Sequence, residues 1–195
     1  MGPFEELLHE AEIAHGHLCA GQILGVRMAM LGLERLGIED PRGADRKRLV
    51  TFVEIDRCAT DAIAVVTGCR LGKRALKFRD WGKMAATFVD LAENKAIRIA
   101  ALESSKERAR TLYPEIEPKN KQQMHAYREM PVADLFSEQW VQVPLDAREM
   151  PGYKSARISC AVCGEGINYD REVLVDGQTL CQGCADPAHR YYTPA

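Results

Sequence analysis

The sequence predicts an α+β protein: a mixed or antiparallel sheet packed with helices, followed by a small four-cysteine module. Three observations predict it. Runs rich in β-branched and aromatic residues recur between residues 49 and 102. Residues 20–36 carry apolar side chains at three- and four-residue spacing. The seven cysteines split into Cys19, Cys58 and Cys69 near the N-terminus and Cys160, Cys163, Cys181 and Cys184 near the C-terminus. The chain has 195 residues, 46% apolar and 28% charged, which suits one soluble domain of ordinary size plus a small appendage.

Residues 3–14 read as a short helix, with Phe4, Leu7, Leu8 and Ala11 on one side. His15-Gly16-His17-Leu18-Cys19 interrupts the pattern. A long helix then runs over Ala20–Leu36, stopped by Gly37. Gly21 and Gly25 each cost this helix about 1 kcal/mol relative to Ala. They therefore point to close packing against another backbone, that of a partner subunit included. Leu49–Asp56 reads as a strand, and Asp61–Thr67 as a short helix ended by Gly68. Ala75–Arg79 and Met84–Leu91 read as two strands around the turn Asp80-Trp81-Gly82-Lys83. Asn94–Leu102 continues as a strand. Ser104–Leu112 and Lys119–Arg128 read as helices, Pro131–Phe136 as a turn, and Trp140–Val143 as a last short strand. Pro144, Pro151, Gly152 and several charges mark a linker. The predicted division is an α+β domain at 1–145, a linker at 146–157 and a four-cysteine module at 158–195.

Cys160-x-x-Cys163 and Cys181-x-x-Cys184 are separated by seventeen residues. Two such turns can bring four thiolates around one tetrahedral Zn(II) ion. The module has few large apolar side chains, so a metal is needed to offset its chain entropy. Free thiols, two disulfides or an iron–sulfur site are the competing readings. A hairpin is expected over Val173–Leu180, with Asp176-Gly177 at its turn. From Gly152 onward, Lys154, Arg157, Arg171 and Arg190 face Glu165, Asp170, Glu172, Asp176 and Asp186. With a whole-chain net charge of −2, nothing drives this protein toward nucleic acid.

The N-terminal group is more open. His15, His17 and Cys19 alternate, which no single helix face can accommodate. An extended entry into the long helix could bring them together, with Cys19 near the positive end of the helix dipole. Cys58 leaves a strand, and Asp61 follows it by three residues. A pocket lined by His17, Cys19, Cys58 and Asp61 would offer one His and two thiolates, an accepted catalytic zinc set. Packed core is the competing reading for each cysteine, Cys69 above all. The five positive residues of Arg70–Arg79 are either a solvated face or the rim of a site for a small anionic ligand.

Taken in order, His15-Gly-His-Leu-Cys19-x-Gly21, Cys58-x-x-Asp61-Ala-Ile63, Thr67-Gly68-Cys69-x-x-Gly72-Lys73 and Asp80-Trp81-Gly82-Lys83 resemble the FmdE family. That family takes its name from a component of molybdenum formylmethanofuran dehydrogenase. Ala20 stands where the family often has Pro, and Arg70 where Thr is common. The distal cysteines, with Gly164, Gly166 and Arg171, resemble a DksA/TraR-type zinc finger. The resemblance implies a homodimeric α+β domain with a His/Cys/Asp cleft, in which His15, His17, Cys19, Cys58, Asp61 and Cys69 are the residues to test. The cofactors expected are Zn(II) in the finger and a second metal, zinc or iron, in the cleft.

Three functions follow as expectations. The first is a metal-binding protein accessory to one-carbon or molybdenum/tungsten enzyme metabolism, with an oxidoreductase complex as partner. The second is an enzyme acting on a small carbonyl or formyl substrate, with Cys19, Cys58 and Asp61 catalytic. The third is a zinc-finger adaptor or regulator. The acidic opening MGPFEELLHEAE lacks the pattern of a signal peptide, and no run of about 18 apolar residues exists. A cytoplasmic location off the membrane is expected.

Overall fold

The computed structural model describes residues 2–193. They form two compact units that divide between Pro144 and Leu145. In the first unit, α1 (Phe4–His15) and α2 (Ala20–Leu36) lead into β1 (Leu49–Val53), α3 (Cys58–Thr67) and β2 (Leu76–Phe78). β3 (Ala85–Asp90), β4 (Lys95–Ala101), α4 (Ser104–Leu112), α5 (Lys119–Glu129), α6 (Val132–Leu135) and β5 (Phe136–Val141) follow. The sheet order is β2-β1-β3-β4-β5. The β1/β2 pair is parallel and the other pairs are antiparallel. This is the expected α+β class with a mixed sheet. No helix among the described residues is long and apolar enough to cross a membrane.

α2 is the central element. Ile23, Val26, Met28, Ala29 and Leu33 are fully buried, because α2 lies between the sheet and α3. Its glycines make this possible. A Cβ at Gly32 would sit 2.3 Å from the Phe88 ring on β3, and one at Gly25 would sit 2.5 Å from the Ala59 carbonyl oxygen on α3. The close packing foreseen at Gly21 and Gly25 is therefore met within the chain, by α3. Gly37, at φ 64°, ends α2 in a Schellman turn closed by Ile38 N–H to the Leu33 carbonyl at 3.0 Å. Arg27, halfway along α2, donates to the carbonyls of Tyr127 at 2.8 Å and Met130 at 2.7 Å. It thereby caps the C-terminus of α5, whose last carbonyls have no helical partner.

Two expectations change. Asp80-Trp81-Gly82-Lys83 does not join a two-stranded hairpin, since β1 lies between β2 and β3. The backbone N–H groups of Trp81 and Lys83 both donate to the Glu54 carbonyl, at 3.1 and 3.2 Å, just beyond β1. The last strand begins at Phe136 instead of Trp140. It pairs with β4 along its whole length, from Ala101↔Phe136 to Ala96↔Val141. It is an edge strand with mostly exposed side chains, so the polar residues Ser137, Glu138 and Gln139 carried no strand pattern.

Two ion pairs tie the sheet together. Glu54 receives both arms of Arg98 at 2.7 Å. Asp90, wholly buried, receives Arg48 at 2.6 Å and the backbone N–H of Ala92 at 2.9 Å. Burial alone would raise the Asp90 carboxyl, but Arg48 and the backbone N–H groups outweigh it and hold it below the usual range. A carboxyl lowered on folding stabilises above its unfolded value, about 3.9, and that contribution is lost as pH falls through the folded value. Asp90→Asn is therefore expected to cost about 2 kcal/mol at neutral pH. The gap to wild type should narrow on acidification. Urea unfolding at neutral and acid pH checks this, and a gap that widened in acid would refute it.

In the second unit, β6 (Ile158–Ser159) pairs with β7 (Gly166–Ile167), and β8 (Val173–Val175) with β9 (Gln178–Leu180), before the short α7 (Gln182–Ala185). Asp176 and Gly177, at φ 50° and 78°, make the two-residue turn between β8 and β9. The stretch read as linker belongs to this unit. Tyr153 donates its hydroxyl proton to Asp170, and Arg148 reaches the Asp170 carbonyl.

Candidate metal centres

The four distal cysteines converge. Their sulfurs all lie within 4.8 Å of one another. Cys160 opens the first knuckle, which closes through Gly164 N–H to the Cys160 carbonyl at 3.0 Å. Cys181 caps α7 and Cys184 lies within it. The Cys163 and Cys181 sulfurs are 3.9 Å apart. Tetrahedral zinc, with Zn–S bonds of about 2.3 Å, holds its sulfurs about 3.8 Å apart, so the four residues fit that ion. Their electrostatics fit as well. The backbone N–H groups of Cys163 and Cys181 pull the Cys160 thiol down to about 6. The Cys181 thiol, with burial second, pushes Cys184 up to about 12. Sulfurs this crowded do not all ionise side by side unless a cation lies among them. Arg190 donates to Cys184 Sγ at 3.1 Å and Cys181 N–H to Cys160 Sγ at 3.3 Å. No spacing in the sequence announces the Arg190 contact, which adds a positive group beside a thiolate ligand.

The proximal group is built by a turn between two helices. His15 ends α1, and Gly16, at φ 93°, reverses the chain in a conformation that favours glycine. Cys19, fully extended, caps α2. One ligand atom from each of His15, His17 and Cys19 falls within 4.8 Å of the others. The two imidazole centroids are 4.7 Å apart. His17 is exposed, and His15 and Cys19 are half-buried, so the group opens to solvent. Asp61, in the first turn of α3, places Oδ2 2.8 Å from His15 Nδ1. A carboxylate only accepts, so the contact puts the proton on Nδ1 and leaves Nε2 free as a ligand.

Cys58 is the first residue of α3. Its carbonyl accepts a hydrogen bond from Nε2 of the buried Gln22 at 2.7 Å. Burial pushes the Cys58 thiol up, and the Cys19 sulfur beside it adds to the shift. The three-ligand group is thus His15, His17 and Cys19, with Cys58 next to Cys19 alone. The set His17, Cys19 and Cys58 expected from sequence shares two residues with this group, which also takes in His15 through the turn at Gly16.

Cys69 lies elsewhere. It is 2% exposed and belongs to the core. It receives the Thr51 hydroxyl at 3.5 Å and faces the Leu49 carbonyl. Burial raises its thiol, the mark of an inert core cysteine. The basic stretch does not form one rim either. Arg70, Lys73 and Arg79 are exposed, whereas Lys77 on β2 is buried.

Two imidazoles and a cysteine sulfur presented at one accessible point of an α+β domain, with a four-cysteine knuckle in the same chain, define a metal-protein architecture. Residues 14–137 match the model of the FmdE family, described as the molybdenum formylmethanofuran dehydrogenase operon family, and residues 152–190 match the prokaryotic DksA/TraR C4-type zinc finger. The chain belongs to the FmdE family. A crystal structure of a tungsten formylmethanofuran dehydrogenase FmdE-like protein from Syntrophus aciditrophicus shares its fold. The TM-score is 0.64 at 19% identity, over 96% of this chain and 94% of that one. A probable S-adenosyl-L-methionine-binding protein of Archaeoglobus fulgidus is 39% identical over 94 residues. That match takes in 48% of this chain and 26% of the relative, so it spans about a quarter of the relative's length.

Proposed function

We propose that this protein is a metal-dependent accessory of the FmdE type, whose N-terminal cleft holds one zinc or iron ion and presents it to a small ligand. The observation that carries this reading is the convergence of His15, His17 and Cys19 within 4.8 Å at a solvent-open turn. A metal bound there by three protein ligands would supply Lewis acidity and keep an open position for a carbonyl or formyl oxygen. His15 would ligate through Nε2, held in place by Asp61 at Nδ1. Cys19 would supply the thiolate. Cys58 lies beside Cys19, outside the three-ligand set. The finger holds Zn(II) and is structural. Family membership supports service to a one-carbon or molybdenum/tungsten oxidoreductase, as a cytoplasmic homodimer.

Elemental analysis of the purified full chain tests the cleft. Wild type is expected to carry one metal equivalent beyond the finger's. The triple variant His15→Ala/His17→Ala/Cys19→Ala should lose that equivalent and keep the finger's. Equal metal content in the two proteins would end the proposal. A second reading, turnover of a small carbonyl or formyl compound, is favoured by the position of Cys58 beside the ligand set. It requires that Cys58→Ser keep the cleft metal and abolish any activity found for the wild type.

A further inference from the structure

Cys19 faces two ways. On one side are the imidazoles of His15 and His17. On the other is Cys58, which starts the neighbouring helix. The crossing of α2 and α3 makes this second contact. A Cβ at Gly21 would lie 3.2 Å from Cys58 Cβ and 3.6 Å from Cys19 Sγ. The two cysteine side chains therefore border the same small space, which exists because residue 21 has no side chain. The hydrogen bond from Gln22 Nε2 to the Cys58 carbonyl, at 2.7 Å, ties the first turn of α2 to the first residue of α3. Both sulfur-bearing residues are half-buried and so within reach of a small oxidant. Cys69 is sealed in the core, and the distal four are engaged with one another.

We propose that Cys19 and Cys58 are a thiol–disulfide pair, and that closing the disulfide withdraws Cys19 from His15 and His17. This deepens the cleft reading above by naming how the site is regulated. The oxidant class is a peroxide. The Cys19 sulfur attacks a peroxide oxygen, the O–O bond breaks, and Cys19 becomes a sulfenic acid as one water leaves. The Cys58 sulfur then attacks the Cys19 sulfur. The S–O bond breaks, the S–S bond forms, and the Cys58 proton leaves with the hydroxyl as a second water. The two cysteines lose two electrons in all, and the peroxide gains them. A thiolate bonded to a metal is not free to close the disulfide, and a sulfur in the disulfide is a poor ligand. Metal and disulfide therefore exclude one another.

The test uses the full chain, zinc-loaded and treated with hydrogen peroxide, then alkylated and digested with trypsin without reduction. Peptides 1–27 and 58–70 are expected to appear joined, lighter than their sum by two hydrogens. Peptide 58–70 also contains Cys69, so the joined species should vanish in Cys58→Ser and persist in Cys69→Ser. Metal content is measured on the same samples. Oxidised wild type should lose the cleft equivalent, and treated Cys58→Ser should retain it. No joined peptide, or one that survives in Cys58→Ser, overturns the pair. If that negative result came with an intact cleft equivalent in untreated wild type, the metal reading would stand and the switch alone would fail. A joined peptide without any cleft equivalent to lose would keep the pair and remove the metal reading.

Discussion

Cys181→Ala is expected to strip the protein of its finger zinc and to unfold residues 145–193, while residues 2–144 remain folded. The effect is large because the second unit has almost nothing else. Its buried cluster is Cys160, Ile167 and Leu180, and two of its strands are two residues long. So small an apolar cluster cannot by itself offset the chain entropy of the unit, and a bound metal that engages both knuckles has to supply the rest. Losing one thiolate breaks the tetrahedron, and the remaining three sulfurs are then left crowded without a cation. Limited proteolysis followed by mass spectrometry reads the outcome. The wild type should resist cleavage throughout 145–193, and Cys181→Ala should be cut there while the first unit survives. A variant that kept protease resistance in 145–193 would refute the argument that the metal holds this unit.

Gly25→Ala is expected to destabilise the first unit. Replacing a mid-helix glycine with alanine normally gains about 1 kcal/mol. Here the added carbon would fall 2.5 Å from the Ala59 carbonyl oxygen, 2.8 Å from Ala59 Cα and 2.8 Å from Ala62 Cβ. The first two are backbone atoms and cannot rotate away. Overpacking of this kind costs about 1–3 kcal/mol or more, so the clash outweighs the propensity gain. α3 has to back away from α2, carrying Cys58 and Asp61 with it. The variant should therefore unfold at lower urea and also bind cleft metal more weakly while still folded. Gly21→Ala, whose nearest contact is a side-chain carbon at 3.2 Å, should be milder. A rise in the unfolding midpoint of Gly25→Ala would show that the two helices do not meet this closely.

What could be read from the sequence was mostly local. The 3.6-residue pattern and Gly37 put α2 at Ala20–Leu36, where it stands. The spacing of the distal cysteines pointed to one four-sulfur cluster, because both knuckles are short-range objects. The mixed sheet was legible as a class, but its order was not. β1 receives β2 on one side and β3 on the other, and no local pattern announces an inserted strand. In the cleft, the residue types were visible and the pairings were not. His15 and Asp61 meet across 46 positions, through a left-handed turn at Gly16 and a helix that starts three residues earlier than its apolar pattern suggests. Cys69 sits beside a family motif in the chain, yet its thiol faces β1, so its neighbours are set by the fold and not by Gly68.

The contacts of Arg27 also bear on the order in which the chain acquires its structure. Its guanidinium, lodged against the end of α5, takes carbonyls from residues 127 and 130. During synthesis on a ribosome, α1, α2 and α3 emerge long before those acceptors exist. Until Met130 is out, α2 holds a half-buried cation with its oxygens missing, and the sheet lacks its β5 edge. Chain release or truncation ahead of that residue leaves the sulfur and imidazole groups of the cleft on an unfinished scaffold. The helix that carries Cys19 at its start therefore reaches its final packing only after residue 130 has been made.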